Sequence, residues 1–141
     1  MKQVNGFTMV EMLFALMILS ILTLLVVPSI IKTVERQETK HFFAVLESDI
    51  LYIQNQALGT RDNVRIVFDE EFYVVISEWK TEEIKRHYPE HLKYTNKINN
   101  RVAFNNNGTI INPTTFKFKD KKITYQLVFP LGKGRHYIEE Q

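Results

Sequence analysis

Between Met12 and Val27 the chain reads MLFALMILSILTLLVV, sixteen residues of which fourteen are apolar. The uncharged stretch continues through Pro28, Ser29, Ile30 and Ile31. A helix apolar on every side for this long has no polar face to show to water, so it suits a bilayer or the interior of an assembly rather than the surface of a soluble domain. Taken from Phe7 to Ile31, it is roughly 37 Å long at about 1.5 Å per residue, enough to cross a hydrocarbon core of about 30 Å with some tilt. Residues 1–31 carry only two charged side chains, Lys2 and Glu11, and the remainder of the 18 Lys+Arg and 16 Asp+Glu lie beyond. The chain therefore has an apolar part and a water-compatible part, and with 141 residues it has room for one soluble core and not two.

A secretory signal peptide would need a basic n-region, a shorter apolar run and a small-x-small cleavage site. The leading MKQVNG has one lysine, the run is longer, and no such site follows it, so removal after the run is not expected. Orientation is left open by the positive-inside count, because Lys2 and the amino terminus face Lys32, Arg36 and Lys40, partly offset by Glu35 and Glu38. A net charge of +2 makes no strong electrostatic commitment to nucleic acid or anionic lipid. The absence of cysteine excludes a disulfide scaffold, a thiolate metal site and a Cys nucleophile.

Glu11 is out of place in an apolar segment. An ionisable group costs roughly 2.5–3.5 kcal/mol near a bilayer centre and less at its edge, so it either snorkels to the headgroups or meets a partner. Its context, GFTMVEMLFALMILSIL from Gly6 to Leu22, resembles the type IV prepilin family. In that family a prepilin peptidase removes a short polar leader ending in Gly, on the cytoplasmic side of the membrane. The resemblance implies a cut between Gly6 and Phe7, N-methylation of Phe7, and Glu11 at the fifth mature position, where the family carries its glutamate. Cleavage would leave a positive amine on Phe7, and a carboxylate one helical turn on can pair with its own amine or that of a docked subunit. On this reading Glu11 pins the register of a helical polymer. Pro28 has no amide hydrogen to give the Leu24 carbonyl, which predicts a kink or local melting near the outer end of the apolar segment.

From Lys32 the pattern becomes amphipathic. Phe43, Leu46, Ile50, Ile53 and Ala57 recur at spacings of three and four, one helical stripe, and Gly59 gives a stop signal, so a single helix is expected from about Phe7 to Leu58. Beyond it the period shifts towards two. Val64 to Phe68, Phe72 to Trp79, His91 to Thr95, Arg101 to Phe104, Thr115 to Lys119 and Ile123 to Phe129 read as strands, with turns at 69–71, 96–100, 105–108 and 120–122 and an irregular polar stretch from Lys80 to Pro89. An antiparallel sheet of this size has one apolar face, and the helical stripe is the available cover. The expected fold is α+β and pilin-like: a leader at 1–6, a transmembrane and assembly helix at 7–31, and a soluble domain at 32–141 made of an amphipathic helix (32–58) and an antiparallel sheet (62–141).

RVAFNNNGTI (101–110) and FPLGKGRHYIE (129–139) are similar to the Phe-Asn-x-x-Gly and Gly-x-Gly-Arg segments of competence pseudopilins of the ComGD kind from Gram-positive bacteria, and secretion pseudopilins of the GspH kind carry similar ones. The resemblance implies a minor structural subunit of a DNA-uptake pseudopilus. Its partners would be the other pilin-like subunits, the prepilin peptidase and the membrane. The chain would be single-pass, amino terminus cytoplasmic, and would reach the cell surface on assembly. The alternatives are a pseudopilin of another secretion or pilus-like system and a membrane-anchored DNA-binding module.

His87-Tyr88-Pro89-Glu90-His91 matches the H-x-x-E-H spacing of inverted zinc peptidases, but Pro89 disfavours the helix that would align the imidazoles and no third ligand is evident. Gly132-Lys133-Gly134-Arg135 lacks the full phosphate-loop spacing and reads as a turn between terminal strands, while His41 and His136 stand isolated. No catalytic residue, cofactor site or metal site is expected. Lys117, Lys119, Lys121 and Lys122, interleaved with Phe116, Phe118 and Tyr125, form a basic strand that either touches DNA backbone, or is a solvated face, or protects a sheet edge.

Overall fold

The computed structural model describes residues 8–59, 64–77, 83–96, 98–121, 123–131 and 135–141. Helix α1 (Met9–Gly59) is followed by strands β1 (Arg65–Phe68), β2 (Phe72–Ile76), β3 (Ile84–His87), β4 (Lys93–Tyr94), β5 (Arg101–Ala103), β6 (Thr115–Lys119), β7 (Thr124–Val128) and β8 (Tyr137–Glu140). The architecture is α+β, one long helix and then antiparallel sheet, consistent with a pilin-like fold. The chain divides into two compact units, Met1–Gln37 and Glu38–Gln141, and α1 supplies helix to both.

In the first unit Thr8 precedes α1 and caps it: its hydroxyl accepts the Glu11 N–H at 3.3 Å and its carbonyl accepts the Met12 N–H at 3.2 Å. A threonine at this place satisfies amide hydrogens that a helix start otherwise leaves without partners. The helix contains an 18-residue window of mean hydropathy 2.7 with none of it buried, long and apolar enough to cross a membrane. Its hydroxyls are turned inward on the helix: Ser20 donates to the Leu16 carbonyl, Thr23 to Leu19 and Thr33 to Ser29, at 2.8–3.0 Å. In hydrocarbon a hydroxyl without an acceptor is costly, and these bonds remove that cost within the helix itself. The helix is continuous through Pro28, so the local melting that the sequence allows does not occur there.

In the second unit α1 buries Thr39, Phe42, Phe43, Leu46, Asp49, Ile50, Ile53 and Ala57. That face includes the whole stripe read from the sequence. The strands form two antiparallel sheets of four, in the orders β3-β2-β1-β5 and β4-β6-β7-β8, where the sequence pattern led us to expect one. Periodicity reports which side of a strand is apolar and not which strand it pairs with. After β3 the chain leaves the first sheet for β4, returns for β5, and leaves again for β6 to β8. β3 itself lies inside the stretch expected to be irregular. Its sequence, Ile-Lys-Arg-His, has no alternation, and it is a strand because it pairs along β2 from Phe72↔His87 to Val75↔Ile84.

One aromatic cluster joins the layers. Phe68 of β1 lies 4.7 Å from Phe116 and 5.8 Å from Phe118 of β6, ring centre to ring centre, and Phe42 of α1 lies 5.7 Å from Phe118 and 6.0 Å from Tyr73 of β2. Both sheets thus turn their aromatic faces to the helix and to each other.

The turn after β5 closes against the end of α1. Asn105 Oδ1 accepts the amides of Asn107 and Thr109, and Gln54 Nε2 donates to the Gly108 carbonyl at 2.8 Å. Gly108 has φ +70, and a Cβ there would stand 3.2 Å from Leu58 Cδ2, whereas Gly59 has no positive φ and open space around the same position. Gly108→Ala should lower stability by about 1–2 kcal/mol, the cost of a left-handed conformation for an L-residue. Gly59→Ala should raise it by about 0.4–1 kcal/mol through loss of unfolded-state freedom. Urea unfolding of the two variants beside the parent checks both signs.

Candidate functional site: the amino-terminal assembly segment

Gly6 and Phe7, the residues expected at the processing site, lie outside the described residues. Glu11 lies in the first turn of α1, where the positive end of the helix dipole favours a carboxylate. The Thr8-x-x-Glu11 spacing is that of a capping box, and the Glu11 amide bond to the Thr8 hydroxyl is one half of it. Beyond this turn every described residue to Val34 is exposed in the isolated chain. An apolar helix that buries nothing within its own chain must meet lipid or other helices.

Residues 1–27 match the family model of the prokaryotic N-terminal methylation motif. The match supports a type IV pilin-like family. It implies processing by a prepilin peptidase and assembly with other pilin subunits, in a family of structural subunits. Together with the single apolar helix it fits a membrane-anchored, single-pass protein. No curated protein and no solved structure matches the chain.

Elsewhere in the chain the structure sorts the other candidates. His87 ends β3 with its ring 5.8 Å from that of Phe72, while His91 sits in the following turn, its Nε2 2.8 Å from Thr39 Oγ1 and its Nδ1 3.7 Å from Glu38 Oε2. The H-x-x-E-H spacing therefore spans a strand end and a turn, and its two imidazoles attach to different elements. His41 is exposed, and His136 packs on Phe129 at 5.4 Å, where burial lowers its imidazole below the usual range against a small opposing pull from Glu47. The Gly-Lys-Gly segment at 132–134 and Lys122 lie outside the described residues. Lys117 and Lys119 point to solvent from β6 and Lys121 sits in the turn after it, but Phe116, Phe118 and Tyr125 are buried on the opposite side. The rings interleaved in sequence are thus not beside the lysines in space.

An open groove of about 1140 Å³ runs past the β1–β2 turn and the segment from His87 to Asn96, with Tyr88 and Tyr94 in its lining. Tyr88 is committed to structure, its hydroxyl shared between the carbonyls of Asp69 and Phe72 at 2.9 and 2.8 Å. Burial pushes its phenol well above the ordinary range and that of Tyr94 up to about 12.

One polar centre escaped sequence reading. Asp49 is buried on the core face of α1 and accepts from the Tyr73 hydroxyl at 2.7 Å and from Arg86 Nε and Nη2 at 2.6 and 3.2 Å. Tyr73 and Arg86 are direct cross-strand partners on β2 and β3, so one carboxylate ties two strands to the helix. The available signal was an acid three residues after Leu46 and four before Ile53, on the stripe itself. Its role is structural: burial, then the bond to Asp49, holds the Tyr73 phenol far above its usual range, and Arg86's own bonds to Asp49 raise the guanidinium.

Tyr73→Phe should cost about 1.5–3 kcal/mol, the range for a hydrogen bond to a charged group, and should be strongly non-additive with Asp49→Ala in a double-mutant cycle. Phenols whose folded values exceed the ordinary 10.0 stabilise fully below that pH and progressively less above it, because the unfolded chain loses its protons first. Denaturant titrations across that boundary should show stability falling from about pH 10 upward, with a shallower fall in Tyr73→Phe.

Proposed function

We propose that the protein is a minor pilin-like subunit of a competence pseudopilus, cut between Gly6 and Phe7, N-methylated on Phe7 and polymerised through α1. The observation that carries this is a methylation motif at 1–27 leading directly into an exposed apolar helix, ahead of a separate α+β unit. The competence assignment draws on the resemblance of residues 101–110 and 129–139 to competence pseudopilins. The fold gives the first of these segments a physical purpose, since its Phe104 is buried, its Asn105 caps the turn and its Gly108 fits against Leu58. Before assembly the amino terminus faces the cytoplasm and α1 crosses the membrane; incorporation carries the second unit to the cell surface.

In this mechanism Glu11 meets the methylated amine of Phe7, its own or that of the neighbouring subunit, and fixes the register at which the next helix docks. Magnitude separates this from a purely local role. A carboxylate serving only the helix dipole contributes about 0.3–1 kcal/mol, whereas an amine left buried without its partner costs about 3–5 kcal/mol. Pro28 is the place where the helix bends most readily as subunits pack.

Mass spectrometry of membrane-extracted protein should find methylated Phe7 at the amino terminus, and a bulky residue at Gly6 should leave the precursor uncut. Glu11→Val should insert and be cleaved normally, yet fall about a hundredfold or more in incorporation into sheared surface fractions, with transformation frequency falling alongside. Normal assembly of Glu11→Val removes the pairing mechanism. A deletion strain that transforms normally but fails to secrete proteins assigns the subunit to a secretion system instead.

A further inference from the structure

The second sheet carries a row of exposed lysines. The β4–β6 register sets Lys93 directly opposite Lys119, with Cα atoms roughly 4.5–5.5 Å apart, and Lys117 lies two residues along the same face, roughly 7 Å away. All three are exposed, and none forms an ion pair among the described residues. Lys93 also lines the groove that Asp69, Glu70, Glu71 and Glu90 line, without an ion pair to any of them, and the acids on the face of the row offer little relief. Glu139 stands across Gln126 from Lys117, two strands or roughly 10 Å away, about a Debye length at physiological salt. Asp120 follows Lys119 and is turned onto the Lys121 amide.

Like charges placed directly opposite weaken a strand pair, so the arrangement calls for a reason. Edge protection accounts for Lys93 on the edge strand β4 but not for Lys117 and Lys119, because β6 lies between β4 and β7 in the interior of its sheet. The other outward positions beside the lysines are Thr95, Thr124 and Gln126, while Val128 and the exposed Tyr137 stand across from Thr115, farther along the same face. The surface immediately around the lysines therefore lacks the apolar centre of a protein interface, the apolar side chains that enter a lipid surface, and the rings on which single-stranded bases stack. What it offers is closely spaced positive charge on a flat surface, which fits a polymer with a regularly repeated negative charge.

We propose that Lys93, Lys117 and Lys119 dock the phosphate backbone of duplex DNA without reading its sequence. This deepens the competence reading above and rests on it for the setting in which the chain meets DNA. Lys93 enters the group only through strand pairing, and the buried Phe116, Phe118 and Tyr125 take no part.

The test uses the full chain in nonionic detergent and two labelled duplexes of unrelated sequence, read by fluorescence anisotropy across a salt series. Both duplexes should bind equally, with affinity falling by a log–log slope of about −2.7 for three phosphate contacts, or about 40-fold between about 50 and 200 mM salt. The combined Lys93→Gln, Lys117→Gln, Lys119→Gln variant should lose about tenfold or more of the low-salt affinity and most of the slope, with a melting temperature no lower than the parent's, since the repulsion across β4 and β6 is removed. Lys85→Gln, on the first sheet where Lys85 lies over the Phe72 ring, should bind as the parent does. Equal binding by parent and triple variant overturns the proposal, as does preference for anionic vesicles or poly(glycerol phosphate) over the duplexes. In cells, a deletion strain that transforms normally overturns the competence reading whatever the lysines do. If deletion abolishes transformation while the triple variant assembles and transforms as the parent does, the lysine face alone is wrong.

Discussion

Phe118 stands where a helix and two sheets meet, and the second unit is organised around that contact. Its fully buried ring touches Phe42 and Phe43 from α1, Phe68 from β1 and Tyr94 from β4, with centroids 5.4–5.8 Å apart. Neither sheet is wide enough to enclose a core alone. Burying such rings supplies several times the stabilisation of the polar contacts around them, and their edge-to-face geometry adds about 0.5–1.5 kcal/mol per pair. The two sheets can therefore be short and irregularly connected, because their register is held by what their inner faces share.

Polar features of the second unit are arranged with respect to that core. Asp49 can be buried on α1 because β2 and β3 bring Tyr73 and Arg86 to it, and the pair of strands is held at that distance by Phe42 against Tyr73. A buried carboxylate contributes little net stability beside an apolar residue of equal size, but its bonds to both strands are met in the register that sets Tyr73 opposite Arg86. The turn carrying Gly108 works in the same sense at the other end, fixing β5 to the last turns of α1 through Leu58 and Gln54. The outward side of the second sheet is left free of these obligations, and the lysines occupy it.

The two units answer to different solvents. Between Met9 and Val34 the helix satisfies the hydroxyls of Ser20, Thr23 and Thr33 within itself and leaves its apolar side chains exposed, whereas residues from Thr39 onward need a partner layer for each apolar face. A chain built in this way can exchange lipid for the helices of other subunits around its first part without disturbing the contacts of its second. On the function proposed above, that independence serves assembly of a membrane-anchored precursor into a filament, with Glu11 the residue whose surroundings change most in the exchange.

The helix, its division into an all-apolar and a one-sided half, the core stripe from Phe43 to Ala57 and the motif at the amino terminus were legible in sequence because each is a local property: periodicity, composition or a fixed spacing along the chain. Most strands were legible for the same reason. What tertiary structure decided was pairing. Two sheets instead of one, the strand at Ile84–His87, the Asp49–Tyr73–Arg86 centre and the meeting of Lys93 with Lys119 all join residues far apart in sequence, and no period within either segment encodes its partner. The Lys117 and Lys119 run was visible at once, but the side its neighbouring rings face, and the lysine that completes it, depend on a register that only the packed sheet sets.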